Sequence, residues 1–173
     1  VIFMNKGDVF TSEDVLSQLK KIILDYGDEQ IALIQGAAFE KTSLGQRRLK
    51  LPRSIGSIGY GMPTHHQAMC FSRQLIESGY DLQYQIAADY ALVARIAKEK
   101  QSVANLSLPI CEFDSGGLSQ QKFLDGLRES YLIKRRVLGV TLLKASSITF
   151  ILLMSNILRR SFPRLYHLIR YED

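Results

Sequence analysis

The sequence predicts an α/β fold, and two observations support this class. Apolar runs of strand length occur at Val1–Met4, Ile31–Ala38, Ala68–Phe71 and Val103–Phe113. Between these runs, apolar residues recur at helical spacing. Strands and helices therefore alternate up to about residue 113, which is typical of a sheet with helices packed on its faces.

The first predicted strand, Val1–Met4, ends at the turn Asn5-Lys6-Gly7-Asp8. The segment Thr11–Asp14 then supplies an N-cap and early acidic residues, so a helix is expected to begin there. This helix should end near Tyr26-Gly27, because glycine readily adopts the left-handed conformation of a helix C-cap.

The middle of the chain predicts a hairpin, a loop and a short helix. The polar residues Thr42–Gln46 separate the strand Ile31–Ala38 from Arg47–Leu51, which indicates a β-hairpin. Several glycines and a proline make Ser54–Thr64 a loop. A short helix over Arg73–Ser78 is expected to end at the glycine that follows it.

Three further helices are predicted, over Ala87–Lys98, from Leu118 to about Leu138, and from about Leu142 to Arg160. The last two follow a glycine-rich turn and are appended to the alternating part. We therefore expect an α/β unit over residues 1–120 and a basic, partly amphipathic helical tail over residues 121–173.

The net charge of +5 is concentrated in the tail. Residues 121–173 contain ten Lys or Arg and four Asp or Glu, a balance of +6, whereas residues 1–120 carry −1. This asymmetry predicts an anionic partner surface, either a membrane or a nucleic acid. A nucleic acid is not expected, because the basic residues are not interleaved with aromatic ones as in a known binding module.

The tail also contains an uncharged run, Ala145–Leu158, with Arg135-Arg136 and Lys144 before it and Arg159-Arg160 after it. About 20 apolar residues are needed to cross a bilayer, and this run is shorter. The pattern favours an interfacial helix on an anionic membrane. The alternative is a C-terminal helix that packs on the core and has a solvated basic end.

Cysteines and targeting signals suggest a cytosolic protein. Cys70 and Cys111 lie in apolar, strand-like runs without metal-ligand spacing, so we expect free, buried thiols in a reducing compartment. No signal peptide is recognisable.

The turn Asn5-Lys6-Gly7-Asp8 is a candidate metal and nucleotide site. In open α/β sheets, ligands bind at the carboxyl ends of strands. Asp8 could ligate Mg²⁺ or Mn²⁺, which prefer oxygen, and Asn5 could hydrogen-bond a ribose or phosphate. The alternative is a plain strand-to-helix turn in which Asp8 only caps the helix.

Asp89 is a candidate general base in the first turn of the helix Ala87–Lys98. We expect the helix dipole to keep it ionised at the edge of a cleft. An ionised carboxylate in that place can take a proton from a sugar hydroxyl. The alternative is an ordinary N-terminal acid on a surface helix.

Two further segments are polar and precede ordered elements. His65-His66-Gln67 precedes a strand, and adjacent histidines point in different directions, so they are not expected to form a metal site of their own. His66 could orient an acceptor or phosphate, or serve only the loop structure. Ser115–Ser119, with Gly116 and Gly117, is a flexible turn before a long helix.

The order of these features resembles a known family. Phe3–Phe10 resembles the apolar–apolar–Asn-x-Gly-Asp-x-apolar segment of family 2 glycosyltransferases, in the version of the colanic-acid-type enzymes of bacterial exopolysaccharide synthesis. The segments that resemble its acceptor side are His66-Gln67-Ala68, Tyr80-Asp81, Tyr84 and Ala88–Leu92 with Arg95. Glu112-Phe113 with Gly116-Gly117-Leu118-Ser119 resembles its closing segment. The resemblance spans roughly residues 1–120.

The resemblance implies a GT-A fold, here partial, and inverting transfer of a sugar from a nucleotide diphosphate sugar, usually with a divalent metal. Carried over by residue, Asn5 and Asp8 fall on the metal and nucleotide motif, with Asp8 as the metal ligand. Asp89 falls on the catalytic base. His66, Gln67, Gly116, Gly117 and Ser119 fall on the acceptor side.

The sequence also departs from the family pattern. Asp8 is the one acid of the metal motif, and Ala88 stands where the family has a glutamate before its base. The family's front section has no counterpart, and Val1–Met4 enters an apolar run without a cap, so a preceding segment is expected to be missing.

The sequence thus predicts a glycosyltransferase of bacterial surface polysaccharide synthesis, peripheral at the inner face of the plasma membrane, with a saccharide or lipid-linked acceptor. One alternative is a catalytically incomplete fragment that acts as a membrane- or partner-binding module. Another is an unrelated α/β binding protein with a basic tail.

Overall fold

A computed structural model describes residues 1–5, 7–27, 31–41, 47–77, 79–113 and 122–161. The α/β class is confirmed: the described residues form a mixed five-stranded sheet with helices packed against it. The strands are β1 (Val9–Phe10), β2 (Leu33–Lys41), β3 (Arg47–Lys50), β4 (Met69–Phe71) and β5 (Val103–Phe113). The α-helices are α1 (Val15–Asp25), α2 (Arg73–Ile76), α3 (Ala88–Lys98), α4 (Phe123–Arg136) and α5 (Leu142–Ser161).

Strand β2 is the centre of the sheet. It pairs in parallel with β5 along one edge, while β3 and β4 pair antiparallel with its two ends along the other. β1 continues the sheet beyond β5 as an antiparallel neighbour. Residues 32–38 are all buried, as expected for a central strand covered on both faces.

A bulge interrupts the pairing of β2 with β5 at Gly36. The register shifts between Gln35 and Ala37 and again before Ala38. A Cβ atom on Gly36 would lie 2.3 Å from Cδ1 and 2.6 Å from Cγ1 of Ile110, so only glycine lets β5 approach this closely.

The core has two clusters. One gathers Tyr90, Val93 and Ile96 of α3 around Met69 and Phe71, together with residues of β2 and α4. The other gathers Val15 and Leu19 of α1 around residues of β2 and β5. Neighbouring residues Ala68 and Met69 belong to different clusters, as expected when adjacent side chains point to opposite faces of a sheet.

Most predicted elements are confirmed, and three expectations are wrong. Val1–Met4 is not a strand: it is extended backbone in which Val1 and Phe71 exchange two main-chain hydrogen bonds, while the strand lies at Val9–Phe10. The segment Thr11–Asp14 precedes α1 without a side-chain cap from Asp14. The loop Ser54–Thr64 contains a 3₁₀ helix, Ile55–Tyr60. The predicted turns Thr42–Gln46 and Asp114–Ser119 lie outside the described residues.

The cysteines and helices bear on two other expectations. Both thiols are free, with Cys111 buried and Cys70 only partly so. Among the described residues, no helix combines the length and apolarity that a membrane crossing requires.

Candidate active site

The turn at Asn5–Asp8 forms as the sequence predicts. The Asp8 N–H donates to the Asn5 carbonyl over 3.1 Å, and Oδ2 of Asp8 accepts from the Asn5 N–H at 3.3 Å. Gly7 has φ +96°, in the region that favours glycine. The turn therefore fixes the orientation of the Asp8 carboxylate.

Gln67 joins this turn to the segment that leads into β4. Its Nε2 donates a hydrogen bond of 2.8 Å to Oδ2 of Asp8. Gln67 is buried and lies in a short 3₁₀ helix, His66–Ala68, that runs directly into β4. A rigid element of the sheet therefore carries the side chain that holds Asp8.

His66, the neighbour of Gln67, is enclosed by aromatic rings. It stacks on Phe3 with ring centroids 5.3 Å apart and an interplanar angle of 15°. The Phe71 ring lies 5.5 Å away, and the Tyr80 hydroxyl is 3.2 Å from Nε2 of His66. Burial lowers the pKa of His66, against the opposing charge of Asp89, so the neutral imidazole is favoured.

Asp89 lies in the first turn of α3, as predicted, and its charge acts on both His66 and Tyr80. Its Oδ1 accepts a 2.7 Å hydrogen bond from the Tyr90 N–H. The helix terminus was expected to keep this carboxylate ionised, but burial is the largest single influence on its pKa. Burial raises the pKa of Asp89 above its ordinary value, and His66 and the backbone donors offset this only in part.

The Tyr80 hydroxyl responds to the same surroundings. Burial, followed by the Asp89 charge, raises the pKa of Tyr80 to about 12. Tyr80 therefore stays protonated at neutral pH, and its hydroxyl can donate to Nε2 of His66. The three side chains form one electrostatic cluster beside the Asp8–Gln67 pair.

Glu129 of α4 holds the start of α3 in place. Its carboxylate accepts three main-chain hydrogen bonds, from Gln85 at 3.0 Å and from Ile86 and Ala87 at 2.8 Å each. Burial raises the pKa of Glu129, but these three donors together outweigh it and leave the pKa below its ordinary value. Glu129 thus anchors the residues that lead directly into the helix that carries Asp89.

An open cleft of about 390 Å³ lies beside the Glu129 carboxylate. Six of its eight lining residues are polar or charged, while polar and apolar atoms line the cleft about equally. The lining residues are Gln83, Gln85, Ile86, Lys122, Asp125, Arg128, Glu129 and Leu132.

His65 has surroundings different from those of His66, as expected for adjacent histidines. Its ring stacks on Phe113 with centroids 4.3 Å apart. Burial, with a smaller contribution from Lys50, lowers the pKa of His65 to about 4, so the ring is neutral. Within the described residues, its buried Nε2 has no hydrogen-bond partner.

A divalent cation fits this site only in a restricted way. The described residues contain no group of three or more His, Cys, Asp or Glu side chains that could hold a metal. Asp8 is a single carboxylate, with the Gln67 amide against it. Mg²⁺ commonly binds through one or two carboxylates together with substrate phosphates, and that mode is the one compatible with these residues.

The structure brings together Asn5, Asp8, His66, Gln67 and Asp89 from three separate segments. The other predicted residues, Gly116, Gly117 and Ser119, lie outside the described part of the chain. Two contributors were missed: the Phe3 ring, which was read only as part of an apolar run, and Glu129. No local pattern could have indicated Glu129, since its three partners belong to a distant segment.

Comparison with known proteins adds no further assignment. No protein-family model matches the chain, and no curated protein shows significant sequence similarity to it. Arguments about function therefore depend on the residues and their geometry.

Proposed function

We propose that the chain is the acceptor-side part of an inverting glycosyltransferase, which transfers a sugar from a nucleotide diphosphate sugar to a saccharide or lipid-linked acceptor. One observation carries this proposal: residues from three separate sequence segments converge, with Gln67 hydrogen-bonded to Asp8 and the charge of Asp89 acting on His66. The mixed α/β sheet is compatible with a partial GT-A fold that has two helices appended.

Asp89 acts as the general base. It removes the proton from an acceptor hydroxyl, whose oxygen attacks the anomeric carbon as the bond to the nucleotide diphosphate breaks. A carboxylate whose pKa burial has raised binds a proton more strongly and is a better base, provided that it is ionised at the working pH.

His66 and Tyr80 position this base. The Tyr80 hydroxyl can donate to Nε2 of His66, and the rings of Phe3 and Phe71 keep the imidazole from rotating. The neutral imidazole can then hydrogen-bond the acceptor without competing for the proton that Asp89 removes.

Asp8 lies where the leaving group would be held. A Mg²⁺ or Mn²⁺ ion bound there, mostly by diphosphate oxygens, would neutralise the charge on the departing nucleotide diphosphate. Gln67 keeps the carboxylate turned toward that position, and Asn5 is exposed beside it and available to a ribose or phosphate.

Binding of nucleotide diphosphates tests this assignment. The protein translated from its whole reading frame is titrated with uridine and guanosine diphosphate, with and without Mn²⁺, while its melting temperature is followed. We expect a Mn²⁺-dependent rise for one of the two nucleotides, lost in Asp8→Asn and retained in Asp14→Asn, an exposed acid before α1. No rise with either nucleotide would count against the proposal.

A second candidate is a binding module without turnover, that is, a catalytically incomplete fragment. The specific observation in its favour is the large apolar surface that α5 exposes. Nucleotide binding without sugar transfer to any acceptor would favour this candidate over the enzyme.

For the enzyme with a lipid-linked acceptor, the reaction takes place at the inner face of the plasma membrane.

A further inference from the structure

Helix α5 exposes an apolar stripe formed by Leu143, Phe150, Ile151, Met154 and Ile157, with Ser147 between the first two. Each of these apolar side chains is between 39% and 80% exposed. With 3.6 residues per turn, all five fall within about 120° of the helix circumference. Exposed apolar side chains that are grouped on one side of a helix indicate an interaction site rather than scattered surface residues.

The opposite side of α5 is already used for packing. Ala145, Ile148 and Asn156 are buried, and α5 lies against α4. The stripe therefore faces away from the described residues against which α5 packs. Ser147, which lies within the stripe, donates its hydroxyl to the Leu143 carbonyl at 2.9 Å, and this lowers the polarity of the surface.

Positive charge borders the stripe. Residues 130–161 contain six Lys or Arg and no Asp or Glu. Lys144 lies at one border near the start of α5, and Arg160 lies at the other border near its end. Arg135 and Arg136 are exposed at the end of α4, just before α5 begins.

We propose that α5 is an interfacial helix that lies flat on an anionic lipid surface, with the apolar stripe inserted among the acyl chains. The helix has 20 residues and is about 30 Å long. In this orientation the basic residues at its borders are level with the lipid phosphates, the arrangement of amphipathic helices at membrane interfaces.

Charge favours lipid over a second copy of the chain as the occupant. Two copies joined through this stripe would bring the exposed Arg135, Arg136, Lys144 and Arg160 of each copy together, and their repulsion would oppose the contact. An anionic lipid surface instead attracts the same residues. This docking does not depend on the proposed sugar transfer, and it fails or succeeds separately from nucleotide binding.

Vesicle flotation of the full chain tests the proposal. Wild-type protein is mixed with two kinds of vesicle. Phosphatidylcholine alone presents a neutral surface, and phosphatidylcholine with about 40% phosphatidylglycerol presents an anionic one. We expect binding to the anionic vesicles and at least about tenfold weaker binding to the neutral ones. The double substitution F150S/I151S should lower anionic binding by about tenfold or more, because it removes two inserted side chains.

Matched controls separate docking from general effects. L24S/L82S removes two exposed leucines outside α5 and should leave binding unchanged. R136E/K144E should weaken anionic binding more than K20E/K21E, which changes the net charge equally on α1. Circular dichroism identifies any variant that fails to fold, and the charge pair then supplies the decisive comparison.

Three results would overturn the proposal. The first is wild-type protein that does not float with anionic vesicles. The second is equal binding by wild type and F150S/I151S, both of them folded. The third is a wild-type dimer that F150S/I151S converts to a monomer while neither protein binds vesicles, which would make a second copy the occupant.

Discussion

Nε2 of Gln67 donates a 2.8 Å hydrogen bond to Oδ2 of Asp8, across 59 residues of sequence. This contact joins the turn that contains Asn5 and Asp8 to the short helix that also carries His66. Gln67 is buried and lies in the short helix that leads into β4. Its side chain therefore holds the half-exposed carboxylate of Asp8 in a fixed position relative to the sheet.

Gln67→Glu should create a second carboxylate against Asp8. We expect the free energy of unfolding to fall by about 1–2 kcal/mol without metal, because two like charges then face each other in a partly buried place. Mn²⁺ should restore the loss, since it would bind both carboxylates. Chemical denaturation with and without Mn²⁺ measures this, with Gln85→Glu as an exposed control. A stability that does not respond to Mn²⁺ would contradict a cation position at Asp8.

Glu129→Gln should destabilise the start of α3. The three main-chain donors lose their charged acceptor, and the expected cost is about 1–2 kcal/mol, in the range of helix-cap replacements. Asp125→Asn on the same helix is the control and should cost a few tenths of a kcal/mol.

The effect of Glu129 should depend on pH. Its pKa is lowered in the folded state, so its stabilisation is fully present above the ordinary value of 4.5 and is lost as the pH falls through the lower folded value. The stability difference between wild type and Glu129→Gln should therefore shrink in acid. If the stability difference between wild type and Glu129→Gln stays constant from pH 7 to pH 3, the charge of the Glu129 carboxylate does not stabilise the start of α3.

Lys134→Met should stabilise the protein at neutral pH. Lys134 is buried, with Nζ 5.2 Å from the centre of the Tyr90 ring, and burial lowers its pKa to about 8. Removing this buried charge should raise the free energy of unfolding at pH 7. The net gain should be about 1–3 kcal/mol, because the favourable contact of the charge with the Tyr90 ring is lost at the same time.

The advantage of Lys134→Met should disappear at high pH. The unfolded lysine keeps its proton up to its ordinary value of 10.5, whereas the folded one loses it near pH 8. Wild-type stability therefore rises relative to the variant between those values, and the two denaturation curves should converge. Lys20→Met, at an exposed lysine, is the control. Parallel curves for wild type and Lys134→Met would mean that the buried amine does not titrate in this range.

Gly36→Ala should disturb the bulge between β2 and β5. The added methyl overlaps Ile110, and overpacking of this kind costs about 1–3 kcal/mol. Combining it with Ile110→Ala should cost less than the sum of the single changes, because each relieves the other. Gly56→Ala, where the nearest atom is 3.6 Å away, is the neutral control. Additive costs in the double variant would place the strain elsewhere.

The sequence predicted most of the fold, because its elements are marked by local signals. Strand β5 occupies the run Val103–Phe113, whose strand character the sequence indicated, and α3 was located to within one residue, since apolar periodicity and flanking polar residues define both. The run Val1–Met4 was wrongly predicted as a strand. An apolar run has the same sequence pattern whether or not a neighbouring strand forms main-chain hydrogen bonds along its length. Only one residue of it, Val1, exchanges main-chain bonds with β4.

The candidate residues could be named from the sequence, but their electrostatics could not. Asp89 was correctly placed in a helix first turn, yet the direction of its pKa depends on burial by residues far away in sequence. Glu129 could not be found for the same reason. Contacts over such separations are set by how the elements pack, which local periodicity does not encode.

The most direct test of the account is the turnover of Asp89→Asn in the protein translated from its whole reading frame, with a nucleotide diphosphate sugar that the wild type accepts. If Asp89 is the base, kcat should fall by about 10²–10⁴ while donor binding stays within about twofold of wild type. Asp25→Asn, at the exposed end of α1, should keep wild-type turnover. The acid limb of the wild-type pH profile should lie above the ordinary aspartate value of 3.8. Turnover of Asp89→Asn equal to that of wild type, in a folded protein that binds donor normally, would contradict the account.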